Sequence, residues 1–325
     1  MQAWTCHELS GPEALTWDDT PTPEPGKGEV RVAIRAASLN VPDLLIVQGK
    51  YQMRPPLPFV PGAEFAGVVE AVGEGVKHLQ VGSHVAGFAG TGGFGTHTVC
   101  PAALLMPLPP VFSFEDAAAF LCTYGTTYHG LMDRAALQPG ETVLVLGAAG
   151  GVGTAAIQIA KAAGARVIAA ASTDDKCALC AQLGADATIN YQTQNLRDAL
   201  KALTDGKGPD VVYDPVGGEL TEQAFRSIAW RGRHLVVGFA NGPIPNLPLN
   251  LALLKGSSIV GVFWGEFAKR EPQKNAACLM QLAAWYMEGK IKPVIEHKLP
   301  MSQLQEAFTL MGSRQVRGKL VLVNS

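Results

Sequence analysis

Apolar residues follow two different rhythms along this chain, and the change between them near residue 120 divides it. Before that point the apolar runs are short and β-like, at 29–36, 64–72 and 84–86, with Pro and Gly between them. From about 120 to 259, runs of strand length near 142–147, 166–171, 187–190, 210–214, 234–239 and 258–263 alternate with segments whose apolar residues recur at helical spacing. That alternation predicts six parallel strands covered on both faces by helices, a doubly wound α/β sheet. Beyond Trp264 the pattern predicts helices over 272–287 and 302–311 and a last strand over 319–323. The six-stranded sheet is complete before that strand, so the strand is expected to return to the first part of the chain. The expected division is a discontinuous domain of residues 1–119 and 260–325 and a continuous one of residues 120–259.

The densest chemical signal lies where the first strand of the second rhythm ends. The run Val143 to Leu146 is followed by Gly147, Gly150, Gly151 and Gly153, and then by an alanine-rich helical stretch. Glycines there let the chain reverse sharply, let a ligand approach the backbone, and let the helix pack closely on its strand. A helix N-terminus presents unpaired N–H groups and a positive dipole end, so Gly150, Gly151, Val152 and Gly153 are candidates to hold a dinucleotide pyrophosphate. The strict G-x-G-x-x-G spacing is broken by Ala148, and the glycines by themselves fit an ordinary strand-turn-helix equally well.

About twenty residues further on, the next strand ends at the place where such folds read the ribose. Ser172 and Thr173 stand there instead of Asp or Glu, with Lys176 one helical turn away. Hydroxyl donors and an ammonium suit a 2'-phosphate, which an acidic residue would repel, so the expectation is NADPH rather than NADH. Ser172 or Thr173 also reads as the cap of the helix that Asp174 and Asp175 begin, and the two roles are compatible.

Composition narrows the class. With 325 residues, 47% of them hydrophobic and 17% charged, the chain has material for two well-packed domains. A formal net charge of −2 and the lack of a Lys/Arg run argue against nucleic acid as a partner. No apolar run approaches a membrane span and the first residues do not resemble a secretion signal, so a cytoplasmic protein is expected. Six scattered cysteines fit reduced thiols. The one C-x-x-C, Cys177 and Cys180, lies in a predicted helix with no His or second pair to complete a metal site, and reads as packing.

The stretch from Gly140 to Lys161 resembles the signature of the quinone oxidoreductase and zeta-crystallin branch of the medium-chain dehydrogenase/reductase superfamily. The shared positions are Glu141, Leu144, Ala148, Ala149, Gly150, Gly151, Gly153, Gln158 and Lys161. The similarity extends through residues 40–43, 60–73, 213–217 and 232–238 to the terminal Arg317-Gly-Lys-Leu-Val-Leu. It implies a GroES-like, mostly-β substrate domain plus a doubly wound Rossmann nucleotide-binding domain, associated as a homodimer. It also implies a zinc-independent, NADPH-using reductase of quinones and other conjugated carbonyls. Enoyl-thioester reduction and non-catalytic NADPH binding are the alternatives.

Residue by residue, the resemblance puts Asn40 at the nicotinamide and Thr126 at its carboxamide. Tyr191 and Arg314 go near the 2'-phosphate, with Lys319 also in the cofactor set. Val216, Gly217 and Gly238 end strands at the carboxyl edge of the sheet, where ligands of open α/β folds bind. Phe263 and Trp264 end the sixth strand and either stack on cofactor or belong to the core. Tyr51 matches the place where related enoyl reductases carry a proton-donating tyrosine; it either supplies a proton to the developing oxyanion or walls the pocket. Some relatives have a second tyrosine where this chain has Leu45.

Zinc dehydrogenases of the superfamily carry a Gly-His-Glu triplet whose His binds the metal. Here the triplet reads Gly62-Ala63-Glu64, no Cys stands in residues 38–43, and residues 85–95 lack the cysteines of the structural zinc lobe. No metal is therefore expected. Asp43 and Glu64 are expected to brace the turn around Asn40.

Overall fold

The computed structural model describes residues 1–325, which divide into two compact units, Met1–Cys122 with Ile295–Ser325 and Thr123–Val294. The first is built on strand Glu29–Ser38, whose burial does not simply alternate because bulges at Arg31/Val32 and Ile34/Ala36 bend it. Along one side it pairs antiparallel with Glu64–Val72 over its whole length. On the other side its first half pairs with His97–Pro101 and its last three residues with Lys319–Val323. The bend thus lets one strand serve two neighbours, and the chain's final strand closes the gap, in register Val321 to Ser38. Strand Ile295–Pro300 extends the sheet beyond Lys319–Val323, and His84–Phe88 and Leu105–Pro107 extend it beyond Glu64–Val72. Phe65, Phe94, Ile34, Val85, Leu304 and Leu322 form a core that excludes water almost completely.

The second unit holds six parallel strands in the spatial order Ala187–Asn190, Arg166–Ala171, Thr142–Val145, Val211–Asp214, Arg233–Val236, Ser258–Gly261. This is the doubly wound arrangement expected from the alternation. The order reverses direction between Thr142–Val145 and Val211–Asp214, and a crevice opens at such a reversal outside the carboxyl ends of the strands. Three strands stop earlier than their apolar runs: Thr142–Val145, Arg233–Val236 and Ser258–Gly261. The first stops because the glycine turn begins at Gly147, with φ +57°. After the last ladder bond, from Val237 N to Asp214 O, residues 238–241 follow the turn after Asp214, with Ala240 N donating to Pro215 O and Asn241 N to Val216 O.

The expected domain boundary at 260 differs from the structure, in which residues 260–294 belong to the second unit. Side-chain packing is the reason. Trp264 lies against Gly125, where a Cβ would meet its ring at 2.6 Å, and Trp285 packs on Tyr128 at 5.7 Å between ring centres. Gln158, inside helix Gly151–Ala162, is bonded both ways to the backbone of Lys292, by Nε2 to O at 3.0 Å and by Lys292 N to Oε1 at 2.7 Å. All six cysteines are free, and no helix is long and apolar enough to cross a membrane.

Candidate functional site

Helix Gly151–Ala162 begins at Gly150 with no side chain capping it and no acidic residue in its first turn. The N–H groups of Gly151, Val152 and Gly153 therefore have no partner within the helix and face outward at the positive end of its dipole. Close packing explains the glycines: a Cβ on Gly153 would stand 2.3 Å from Gly147 O and 2.7 Å from Ala148 C, both backbone. The side chain of Val216 packs on the same turn, since its Cγ2 lies 2.7 Å from where a Gly147 Cβ would be. Val216 and Gly147 meet at the reversal of strand order.

Ser172, Thr173 and Lys176 stand together at the end of strand Arg166–Ala171. Thr173 Oγ1 accepts from Lys176 N at 3.2 Å and caps helix Asp174–Gln182, while Lys176 Nζ reaches Ser172 Oγ at 3.4 Å. Asp174 is drawn off by a 2.8 Å bond from Asn190 Nδ2. Tyr191 follows strand Ala187–Asn190, bonds through its N to Ala171 O at 3.1 Å, and leans on the core around Leu144 and Ile168. Thr126 is partly exposed, whereas its neighbour Thr127 is buried and occupied by Thr123 O and the Tyr213 hydroxyl. Gly238 is partly exposed beside Pro215. Phe263 is 54% exposed. Trp264, by contrast, is buried with Nε1 bonded to Asn275 Oδ1 at 2.8 Å, so of its two expected roles the structure gives it packing in the core.

The first unit holds a buried polar cluster. Asn40 is fixed at three points: its N donates to Asp43 Oδ2 at 2.7 Å, its Nδ2 to Glu64 Oε2 at 3.1 Å, and its Oδ1 accepts from Lys319 Nζ at 2.6 Å. Asp43 also accepts from Ala63 N, and Glu64 from Ser38 Oγ and Cys122 N. The two carboxylates thus hold the segments around Asn40 and Ala63 as expected. Burial pushes the Asp43 carboxyl up to about 7 against its backbone bonds and Lys319, and burial also raises Glu64. Lys319, expected in the cofactor set, is 5% exposed and bonded to Leu39 O and Asn40 Oδ1, which makes it an internal cation of this cluster. Nothing in the apolar run that it heads distinguished the two roles.

Tyr51 is half-buried near this cluster. Burial first, and then the neighbouring Cys122 and Asp43, raise its hydroxyl above the ordinary value. Arg314 is exposed, in the left-handed turn after helix Leu304–Gly312 at φ +58°, and belongs to the first unit. No three His, Cys, Asp or Glu stand together as a metal would require, and the buried Ala63 offers no donor atom.

One buried pair escaped the sequence reading. Asp214 closes the turn at Val216 and Gly217 through its Oδ1 and meets His234 Nε2 and Thr221 Oγ1 through its Oδ2. An Asp before Pro at a strand end signals a turn, but nothing local signals its histidine partner twenty residues away.

Comparison with known proteins agrees with both units. Residues 26–110 match the alcohol dehydrogenase GroES-like domain family and residues 151–285 the zinc-binding dehydrogenase family. A quinone oxidoreductase-like protein 2 homolog of Nematostella vectensis is 40% identical over 99% of this chain and 88% of its own length. Escherichia coli quinone oxidoreductase, solved in complex with NADPH, has a TM-score of 0.92 at 30% identity over the whole of both chains. The quinone oxidoreductase of Thermus thermophilus, solved also as its complex with NADPH, has a TM-score of 0.87 at 35% identity, again over both whole chains. With likeness of this extent in sequence and in fold, the chain belongs to the quinone oxidoreductase family of the medium-chain dehydrogenase/reductase superfamily, and is an oxidoreductase.

Proposed function

We propose that this oxidoreductase uses NADPH to reduce quinones or other α,β-unsaturated carbonyls without zinc. The observation that carries the reading is the uncapped glycine-rich helix end at Gly151–Gly153, with Ser172 and Lys176 at the ribose-reading position. The N–H groups of Gly151, Val152 and Gly153 hold the pyrophosphate. Ser172 and Lys176 hold the 2'-phosphate, with Tyr191 and Arg314 as further donors. When bound, NADPH supplies the hydride. Asn40, locked by Lys319, Glu64 and Asp43, and Thr126 orient the nicotinamide. Tyr51, which carries its proton at neutral pH, donates to the oxygen on which negative charge develops. The NADPH complexes of the Escherichia coli and Thermus thermophilus relatives support the cofactor.

Zinc independence rests on Ala63, which supplies no ligand, and on the lack of cysteine in residues 85–95. Strand Ser258–Gly261 lies at an edge of its sheet with Ile259 44% exposed, a surface suited to pairing with a second copy, so we also propose a homodimer. A cytoplasmic location completes the proposal.

Steady-state oxidation of NADPH and NADH with 1,4-benzoquinone or 9,10-phenanthrenequinone, with and without a chelator, tests the reading. Turnover with NADPH that survives chelation is expected. Loss of activity together with stoichiometric zinc would overturn zinc independence. Turnover of an enoyl thioester without quinone reduction would replace the substrate class, and NADPH binding without turnover of any acceptor would make this a binding protein.

A further inference from the structure

The buried pair Asp214 and His234 takes no part in the function proposed above, and two of its bonds lie at the carboxyl end of strand Val211–Asp214. Asp214 ends strand Val211–Asp214 and is 3% exposed. Its Oδ1 accepts from Val216 N and Gly217 N, each at 2.9 Å, and its Oδ2 accepts from Thr221 Oγ1 at 2.5 Å and His234 Nε2 at 3.0 Å. Both oxygens are therefore used twice. Burial works to raise this carboxyl, but His234, Gly217 N and Thr221 outweigh it and keep the group below its ordinary value, as a carboxylate.

The turn that Asp214 closes is tightly placed. Gly217 has φ +73°, and a Cβ there would meet Phe239 Cδ1 at 2.9 Å. Asn241 N donates to Val216 O, and Val216 packs against Gly147 at the reversal of strand order. His234 is fully buried beside the edge of Phe225, and its Nδ1 has no hydrogen-bond partner. A bare ring nitrogen is tolerable in the core, whereas an unpaired N–H there costs more. A proton on Nε2, donated to Asp214, therefore fits the observed contacts.

We propose that Asp214, oriented by His234, is a positioning residue for cofactor binding: it holds the Val216–Gly217 turn against the glycine-rich turn so that their backbones present one surface to the dinucleotide. The inference rests on the reading of this unit as an NADPH site. Unlike Lys176, which reads only the 2'-phosphate, the turn serves the part common to both nicotinamide dinucleotides.

The test measures NADPH and NADH dissociation constants by fluorescence, steady-state kinetics, and the His234 tautomer by 15N NMR of imidazole-labelled protein, in the wild type, Asp214→Ala and Asp214→Asn. Asp214→Ala should weaken both dinucleotides about tenfold or more and raise KM for them, with kcat at saturation changed less than about threefold. In Asp214→Asn the amide oxygen still closes the turn and its NH2 faces His234, so the ring should move its proton from Nε2 to Nδ1, with dinucleotide affinity within about threefold of wild type. Wild-type affinity in Asp214→Ala overturns the inference. So does an unmoved tautomer in Asp214→Asn, which remains decisive if Asp214→Ala does not fold. A wild type that binds no NADPH refutes the cofactor reading instead.

Discussion

Lys319→Met removes one positive charge from the interior while nearly preserving side-chain length, so its effect reports electrostatics more than a cavity. Lys319 Nζ donates to Leu39 O at 2.8 Å and Asn40 Oδ1 at 2.6 Å, and its charge favours ionised Glu64 and Asp43. Removing one partner from a buried set of charges costs about 3–5 kcal/mol, because the remaining charge is left uncompensated. At about 2–4 °C per kcal/mol for a domain of this size, Tm of the first unit should fall by about 6–20 °C.

The loss also has a definite pH dependence. Asp43 already stands at about 7 instead of 3.8, and burial raises Glu64 as well. A carboxyl raised in the folded state contributes stability fully below its unfolded pKa and loses it as pH climbs through the folded one. Without Lys319 both folded values rise further. The deficit should therefore be small near pH 5, where the variant's carboxyls take up protons, and largest near pH 8, where they are ionised or must be kept neutral at a cost. Urea unfolding followed by circular dichroism at both pH values measures it. A deficit under about 1 kcal/mol at pH 8, or one equal at the two pH values, would refute the assignment of Lys319 as the internal counter-charge.

Lys176→Ala should weaken NADPH about ten- to a hundredfold, the scale of a charge-assisted contact, and leave NADH nearly unchanged; equal losses in calorimetry would assign Lys176 to the fold. Tyr51→Phe should lower turnover about a hundredfold with an enone and less with a quinone, whose phenolate product is a weaker base, while NADPH affinity holds; unchanged stopped-flow rates with both acceptors would leave solvent as the proton source. Gly153→Ala should weaken NADPH about ten- to a hundredfold in a folded protein, because its Cβ would stand 2.3 Å from the Gly147 carbonyl and the turn must shift; wild-type affinity would show that this turn does not bind the dinucleotide. Light scattering should return twice the chain's 34.2 kDa, and a monomer at micromolar concentration would count against edge pairing.

Local patterning was enough for most elements and for two local groupings of the candidate site. Strand Arg166–Ala171, helix Pro272–Met287 and strand Lys319–Val323 stand where the periodicity placed them. The glycine turn and the Ser172–Thr173–Lys176 group were legible because their contacts lie within a few residues, where spacing alone fixes which groups meet. The return of the last strand was legible too, since a finished six-stranded sheet has no use for it.

Contacts between distant segments were not legible. Residues 260–294 carry nothing that assigns them to one unit; Trp264 on Gly125 and Gln158 on Lys292 decide it, and both depend on how helices stack. Lys319 carries the same charge whether it meets a phosphate or Asn40, and only its burial between Leu39 and Asn40 separates the cases. Asp214 could be read as a turn residue, yet its bond to His234 arises because adjacent parallel strands put the two on one face, with His234 opposite Val212 and Asp214 two residues further on. Sequence by itself thus determined the secondary elements, the doubly wound arrangement and the glycine-rich turn, which follow from periodicity and local stereochemistry. Tertiary structure decided where the chain divides and which buried charges neutralise one another, because burial and partner choice are properties of packing between segments far apart in the chain.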